Sequence, residues 1–396
     1  MCTYHSHIRT SIKHLSIFNL NIPNIVRFYI TCEKFTKMKT FNIEKTILTN
    51  SECFLTIDIG VSTIKCFYVD QENDLYNGNS QNKDVIFTLK STNFNIHIEN
   101  FLQNVKFNFS KLESIQTKFI LICGIQCKHF QSEVSKVFGC GVKVVSEMAA
   151  IANGVRYFIN HQERDTFFHL PVSLSDKYEQ VNIKILEKLL ETWKAKRELL
   201  LKNSTSKEYP CLYVNGGSVC RYVLVEEYGK GKEVSFNSYG GSTFQGLAKC
   251  LLDENNINKL LEMAEIGNRE NIDTQVKEVL DDYESPYGKY PPNLPVFAFG
   301  KAMDYASSDK ITCQNEDISQ SLVSMIVDNS VFFALRIASM TSCKKIYFGG
   351  NLFQHKSFLV EYSRFCVRLP EIIKTHFLKC GFETNIGLLV DNNEKN

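Results

Sequence analysis

At 396 residues, 44% hydrophobic and 22% charged, the chain has the length for two ordinary domains and the composition of a folded core, while a formal net charge of +2 excludes the electrostatic footprint of a nucleic-acid or anionic-membrane binder. Its 14 cysteines are scattered without a C-x-x-C pair, and Cys123 and Cys127 have no Cys or His companions at zinc spacing, so reduced thiols packed as small hydrophobes are expected. No apolar run approaches ~18 residues, so no transmembrane segment is expected and the chain reads as soluble and cytoplasmic.

Residues 1–51 are basic, with Arg9, Lys13, Arg27, Lys34, Lys37, Lys39 and Lys45 against Glu33 and Glu44. An organellar transit peptide has that charge balance. Sparse serine and the lack of an Arg-spaced amphipathic helix favour a disordered extension, with Met38 as an alternative start.

A first lobe is expected over 52–159. Phe54–Ile57 reads as a strand leading to Asp58, Gly60, Ser62 and Thr63, and Ile64–Tyr68 returns with Lys65, which together make a hairpin. Amides of a tight Gly turn form an anion-binding nest, and a neighbouring Asp can hold a magnesium-bound water. An ordinary turn with a solvated lysine has the same residues. One or two strands are expected in Val85–Ile98, a helix over Leu102–Ser114, a buried strand over Lys118–Cys123, and a helix over Gln131–Phe138. Val142–Ile159 reads as strand, turn and helix. Ser146 caps that helix, and Glu147 stands in the first turn, where a carboxylate suits the dipole.

Residues 160–210 break the pattern with an amphipathic helix over Lys177–Lys202 and a linker, NSTSKEYP. A second lobe, 211–396, opens with strands at Cys211–Val214, Arg221–Glu226 and Glu233–Phe236. Asn215–Ser218 turns between the first two, and Tyr239–Phe244 leads into a helix. Helices are expected at Ile257–Gly267, Ile272–Tyr283, Ile318–Ser339 and Leu359–Leu378, with a strand at Lys344–Asn351 and a last segment, GFETNIGLLV.

Glycine-bearing turns thus follow strands at Asp58–Lys65, Asn215–Ser218, Tyr239–Phe244 and Gly349-Gly350-Asn351. Glycine admits φ > 0 and close ligand approach, and a helix opened by Gly240-Gly241 attracts anions at its N-terminus. One phosphate hairpin in each half is the arrangement of an α/β, two-domain nucleotide-binding fold of the sugar kinase, actin and heat-shock-chaperone type, with a cleft between the lobes.

The motifs resemble those of the eukaryotic-type (type II) pantothenate kinases. TIDIGVSTIKCFYVD is similar to the family's first phosphate motif, keeping Asp58, Gly60 and Lys65, with Val61 where that family has Gly. SEMAAIANGV keeps Glu147 and Gly154; VNGGSVCRY keeps Asn215, Gly217 and Ser218; SYGGSTFQGL keeps Gly240, Gly241, Thr243, Phe244, Gly246 and Leu247. AEIGNRENIDTQVKEV, FGK, SLVSMIVDN and IYFGGN follow in family order. The resemblance implies ATP-dependent phosphorylation of pantothenate to 4'-phosphopantothenate in coenzyme A biosynthesis, inhibition by acyl-CoA, and a dimer through the helix at Ile318–Ser339. Asp58 would organise Mg²⁺. ATP would be held by Gly60, Ser62, Lys65, Gly217, Ser218, Gly240, Gly241, Thr243 and Phe244, with Gly349, Gly350 and Asn351 beside the nucleotide.

Three active-site positions also depart from the family pattern. Gln131 in CGIQCKHFQ stands at the family's catalytic glutamate, and an amide cannot accept the substrate proton. Glu133 is the nearest substitute, and Lys128 or His129 the stand-in for a lysine. Glu233 falls at the family's catalytic arginine, with Lys232 adjacent, and Arg221 at a serine that contacts pantothenate. These changes leave two readings: a divergent kinase with rewired catalysis, or an impaired homologue partnering an active paralogue in a heterodimer. An actin-like filament protein is a third, set against the continuous motif order.

Overall fold

The structure is a computed structural model that describes residues 35–36, 55–61, 63–68, 85–90, 94–110, 118–160, 167–168, 209–227, 230–280, 284–285, 288–289, 295–305, 313–355, 357–359, 361–362, 374–378 and 381–393. The amphipathic helix expected over Lys177–Lys202, Ser62, and nearly all of 1–51 lie outside the described residues.

The first sheet contains β1 (Phe35–Thr36), β2 (Leu55–Ile59), β3 (Thr63–Tyr68), β4 (Val85–Lys90), β5 (Phe119–Cys123) and β6 (Gly141–Val144), in the order β1-β4-β3-β2-β5-β6. The β2–β3–β4 ladders are antiparallel, whereas β5 joins β2, and β6 joins β5, in parallel. The second sheet repeats this plan. Its strands are β7 (Phe167–Phe168), β8 (Cys211–Gly216), β9 (Cys220–Val225), β10 (Gly231–Asn237), β11 (Lys345–Gly349) and β12 (Lys374–Leu378), in the order β10-β9-β8-β11-β12-β7. Here too β8–β9–β10 are antiparallel, and β11 and β12 follow β8 in parallel. Two antiparallel meanders, each extended by parallel crossovers on the same side, make the duplicated two-lobe α/β architecture expected from the glycine turns.

The helices are α1 (Phe94–Ser110), α2 (Cys127–Phe138), α3 (Glu147–Asn160), α4 (Gly241–Leu252), α5 (Ile257–Ile266), α6 (Asn315–Thr341) and α7 (Glu383–Asn393). Strand side chains alternate between faces, and the alternation sorts the protein into layers. Leu55, Ile57 and Ile59 face an outer core with α1 and α2. Leu212, Val214 and Tyr222 face an opposite outer core with α4, α5 and α6. Between the sheets lies a third core, built from α3, α7, Phe67, Leu121, Tyr213 and Tyr347.

The two central helices are exchanged between halves of the chain. α3, from the first half, packs on β9 and β10, whereas α7, from the second, packs on β2, β3 and β5. They cross at glycines. A Cβ on Gly154 would stand 1.8 Å from the Glu383 carbonyl oxygen, and one on Gly387 would stand 1.7 Å from that of Ala150.

Several elements differ from their sequence expectation. α1 begins at Phe94, inside a segment read as strand, and α2 begins four residues before Gln131, at Cys127. The Leu359–Leu378 segment, expected as helix, ends in strand β12, where Phe377 and Leu378 are buried against β11 and β7. GFETNIGLLV supplies the helix α7. The Ile272–Tyr283 helix shrinks to Val276–Val279, with a short strand at Thr274–Gln275 before it. α6 is long and apolar enough to cross a membrane, with a mean hydropathy of 1.5 in its most apolar window; Ser321, Ser324, Asp328 and Ser330 interrupt its run in sequence, and 67% of that window is buried within the protein. The described cysteines are free thiols.

Candidate active site

Asp58 occupies the end of β2, on the face turned to α7 and the second lobe. Its cross-strand partner is Lys65, and β5 lies on its other side. Gly124 leaves β5 with φ +96°, and a Cβ there would meet the Ile59 carbonyl oxygen at 2.4 Å and Asp58 Oδ1 at 2.8 Å. Only glycine fits so closely behind the carboxylate. Burial, with Glu147 and Glu383 nearby, pushes the Asp58 carboxyl up to about 6, while Lys65 and Arg221 pull it down.

Lys65 Nζ donates to the Gly381 carbonyl oxygen at 2.7 Å and lies 5.5 Å from the Phe382 ring centre. The Gly381 N–H in turn donates to Glu383 Oε1 at 3.2 Å. Glu383 is 2% exposed, and burial raises its carboxyl while Lys65, the Gly381 amide and the Tyr213 hydroxyl oppose that. The ideal Cβ of Gly349 would sit 2.9 Å from Glu383 Oε1, so β11 ends against the same carboxylate. Gly350 follows with φ +86°, close to Asn215, and Asn351 stands next to Gly381.

The second lobe reaches across through Arg221 on β9. Nη1 bonds Glu147 Oε1 of α3 at 2.5 Å, and Nε and Nη2 both meet Glu233 Oε2 of β10 at 2.6 Å. Glu147 and Glu233 hold the guanidinium even more firmly protonated than usual, against the cost of its partial burial. Three residues singled out as family departures or motif positions are therefore one ion cluster within electrostatic reach of Asp58.

Other expected site residues are placed elsewhere. Gln131 is exposed on α2 and donates to the Val142 carbonyl of edge strand β6 at 3.3 Å. Glu133 accepts from Ser132 Oγ at 2.8 Å on the same helix. Gly60 N–H closes its own turn on the Thr63 carbonyl at 3.0 Å. The glycine turns of the second lobe engage one another: Gly241 N–H donates to the Gly217 carbonyl at 2.8 Å, and Ser242 N–H to that of Ser218 at 3.1 Å. Sequence reasoning reserved these turns for phosphate, but these two amides are spent within the lobe. Gly240 makes that contact possible, since a Cβ there would stand 2.6 Å from the Ser218 carbonyl oxygen. Thr243 Oγ1 donates to the Ser238 carbonyl at 2.6 Å, and Phe244 is buried edge-on against Phe358, supporting the loop from the core. Glu383 had no signal in sequence, because a lone Glu in an unassigned segment shows neither its burial nor its neighbours.

The Fumble family matches residues 54–379, most of the chain. The chain belongs to the Fumble family, the type II pantothenate kinases. The chain is 26% identical over 309 residues to pantothenate kinase 1 of Arabidopsis thaliana, covering 75% of this chain and 73% of that protein. Pantothenate kinase 2 of the same plant is 24% identical over 344 residues, 79% of this chain, but the match spans only 35% of that longer protein. The 4'-phosphopantetheine phosphatase of Mus musculus is 31% identical over 142 residues, 36% of this chain and 17% of its own length. Among solved structures, (R)-2-hydroxyglutaryl-CoA dehydratase component A of Acidaminococcus fermentans overlaps at a TM-score of 0.47 with 12% identity, covering 86% of this chain and 97% of that one. The fold of this Fumble member is read from its own duplicated strand order rather than from that partial overlap.

Proposed function

We propose that this chain transfers the γ-phosphoryl group of ATP to the primary hydroxyl of pantothenate. Membership of the Fumble family supports the substrate. The observation that carries the chemistry is Asp58, a carboxylate at a strand end paired across its hairpin with Lys65 and within electrostatic reach of Arg221 of the opposite lobe. Phosphoryl transfer needs positioning and charge compensation more than covalent help from the protein. Lys65 and Arg221 supply positive charge within electrostatic reach of Asp58.

The donor set suits magnesium. Asp58 stands at the end of its strand, and the described residues contain no cluster of three or more His, Cys, Asp or Glu ligands that could cage a metal by themselves. Mg²⁺ is commonly held by one or two carboxylates together with substrate phosphates. Asp58 is the carboxylate to hold it through water, and the ion would screen charge on the transferring phosphoryl. We further propose a dimer through α6, whose Phe332, Phe333 and Met340 are 51%, 41% and 62% exposed.

Purified protein incubated with ATP, Mg²⁺ and pantothenate is expected to release ADP and 4'-phosphopantothenate in equal amounts. ADP release that is indifferent to pantothenate would overturn the assignment. Sedimentation of Phe333→Asp is expected to show monomer where the native chain shows dimer.

A further inference from the structure

The proposed reaction requires an acceptor for the hydroxyl proton, and the residue at the expected place, Gln131, is an amide turned to the β6 edge. We propose that Glu147 is that acceptor, oriented from the opposite lobe by the Arg221–Glu233 pair; this rests on the kinase reading above.

Geometry separates Glu147 from the other carboxylates. Glu133 is engaged by Ser132 on α2. Glu383 is buried, and the Gly381 amide and Tyr213 hydroxyl already occupy it. The Glu147 side chain is 22% exposed, stands in the first turn of α3, and acts on Asp58 through space. One of its oxygens, Oε1, takes Arg221 Nη1 at 2.5 Å, and among the described residues Oε2 has no hydrogen-bond partner. A base fixed by a third group is the recurring construction of proton-transfer sites. Here the third group is itself fixed, because Glu233 receives both Nε and Nη2 of Arg221.

This arrangement also explains a glutamate at position 233. On β10 it grips the guanidinium on the neighbouring strand and fixes the angle at which Glu147 is held. In the transfer step the hydroxyl oxygen forms a bond to the γ-phosphorus while the bond from that phosphorus to the β–γ bridging oxygen breaks. ADP leaves with the bridging electrons, and the hydroxyl proton passes to Glu147 Oε2. Arg221 and Glu233 are positioning residues.

The test compares the full-length chain with Glu147→Gln, Glu147→Asp and Glu233→Gln, using kcat, KM for pantothenate, and ATP affinity by nucleotide titration. Glu147→Gln keeps an acceptor for Arg221 but no base, and kcat is expected to fall by ~10²–10⁴-fold with ATP affinity and KM within a few fold of native. Glu147→Asp is expected to recover part of the loss. Glu233→Gln is expected to lower kcat less than Glu147→Gln does. A Glu147→Gln enzyme with native kcat overturns the proposal. If that variant does not fold, Glu147→Asp decides, and a kcat within twofold of native is the overturning result. A native chain inactive on pantothenate but active on another alcohol overturns the substrate assignment alone, and Glu147→Gln is then judged on that alcohol. A native chain inactive on every alcohol overturns both.

Discussion

Asp58 carries a charge that the folded state holds at a cost. Its folded carboxyl titrates at about 6, against the ordinary 3.8, so the group favours folding fully below about pH 4 and loses that contribution as pH rises through 6. At pH 7.5 the ionised carboxylate therefore costs on the order of 2–3 kcal/mol. Asp58→Asn is expected to raise Tm at pH 7.5 while abolishing turnover, and the Tm gain should vanish near pH 4; a thermal melt series across pH checks it. Lys65 is the strongest group pulling this carboxyl down. Lys65→Met is accordingly expected to move the acidic limb of the kcat/KM profile to higher pH and to weaken ATP binding. Asp58, Gly60 and Lys65 were legible in sequence because a hairpin fixes which residues oppose each other: the observed register pairs Asp58 with Lys65 and Ile59 with Ile64. The Arg221 cluster was not, since Glu147 and Glu233 meet it only after α3 and β10 are brought together from separate parts of the chain.

Among elements, α3 and α7 pack against each other closely enough to require glycine at their crossing. Gly154 and Gly387 each face a carbonyl at a distance that admits no Cβ. Overpacking a dense core costs about 1–3 kcal/mol, and backbone carbonyls cannot rotate away as a side-chain tip can. Gly387→Ala is expected to reach or exceed the top of that range in urea unfolding, whereas Gly246→Ala, with open space at the Cβ position, is expected to be neutral or slightly stabilising. Strands with clear apolar runs, β5 and β11, were readable within a residue or two, because burial on both faces leaves little room for polar positions. β12 was missed. Its residues follow a segment of helical composition, and pairing with β11 and β7, a tertiary circumstance, decides its state.

At the scale of the whole molecule, the layers run helices, sheet, exchanged helices, sheet, helices. The two-lobe plan was visible in the sequence through the repeated strand–glycine–strand pattern, which the strand orders reproduce. The exchange of α3 and α7 was not, because sequence order assigns each helix to the half in which it is encoded. Each lobe alone would expose the inner face that the other half's helix covers. Residues 52–159 and 211–396 expressed as separate fragments are expected to be insoluble or partly folded singly, and to regain cooperative unfolding when mixed; circular dichroism of each fragment and of the mixture tests this.

Lys65 bonds a carbonyl 316 positions downstream, and Thr56 exchanges hydrogen bonds with Asn385, 329 positions away. During synthesis the first lobe emerges early, and its catalytic face stays uncovered until Gly381 and Asn385 have also left the ribosome. A nascent chain stalled before Gly381 would lack these bonds, and competence for turnover would arrive as a late, single event rather than lobe by lobe.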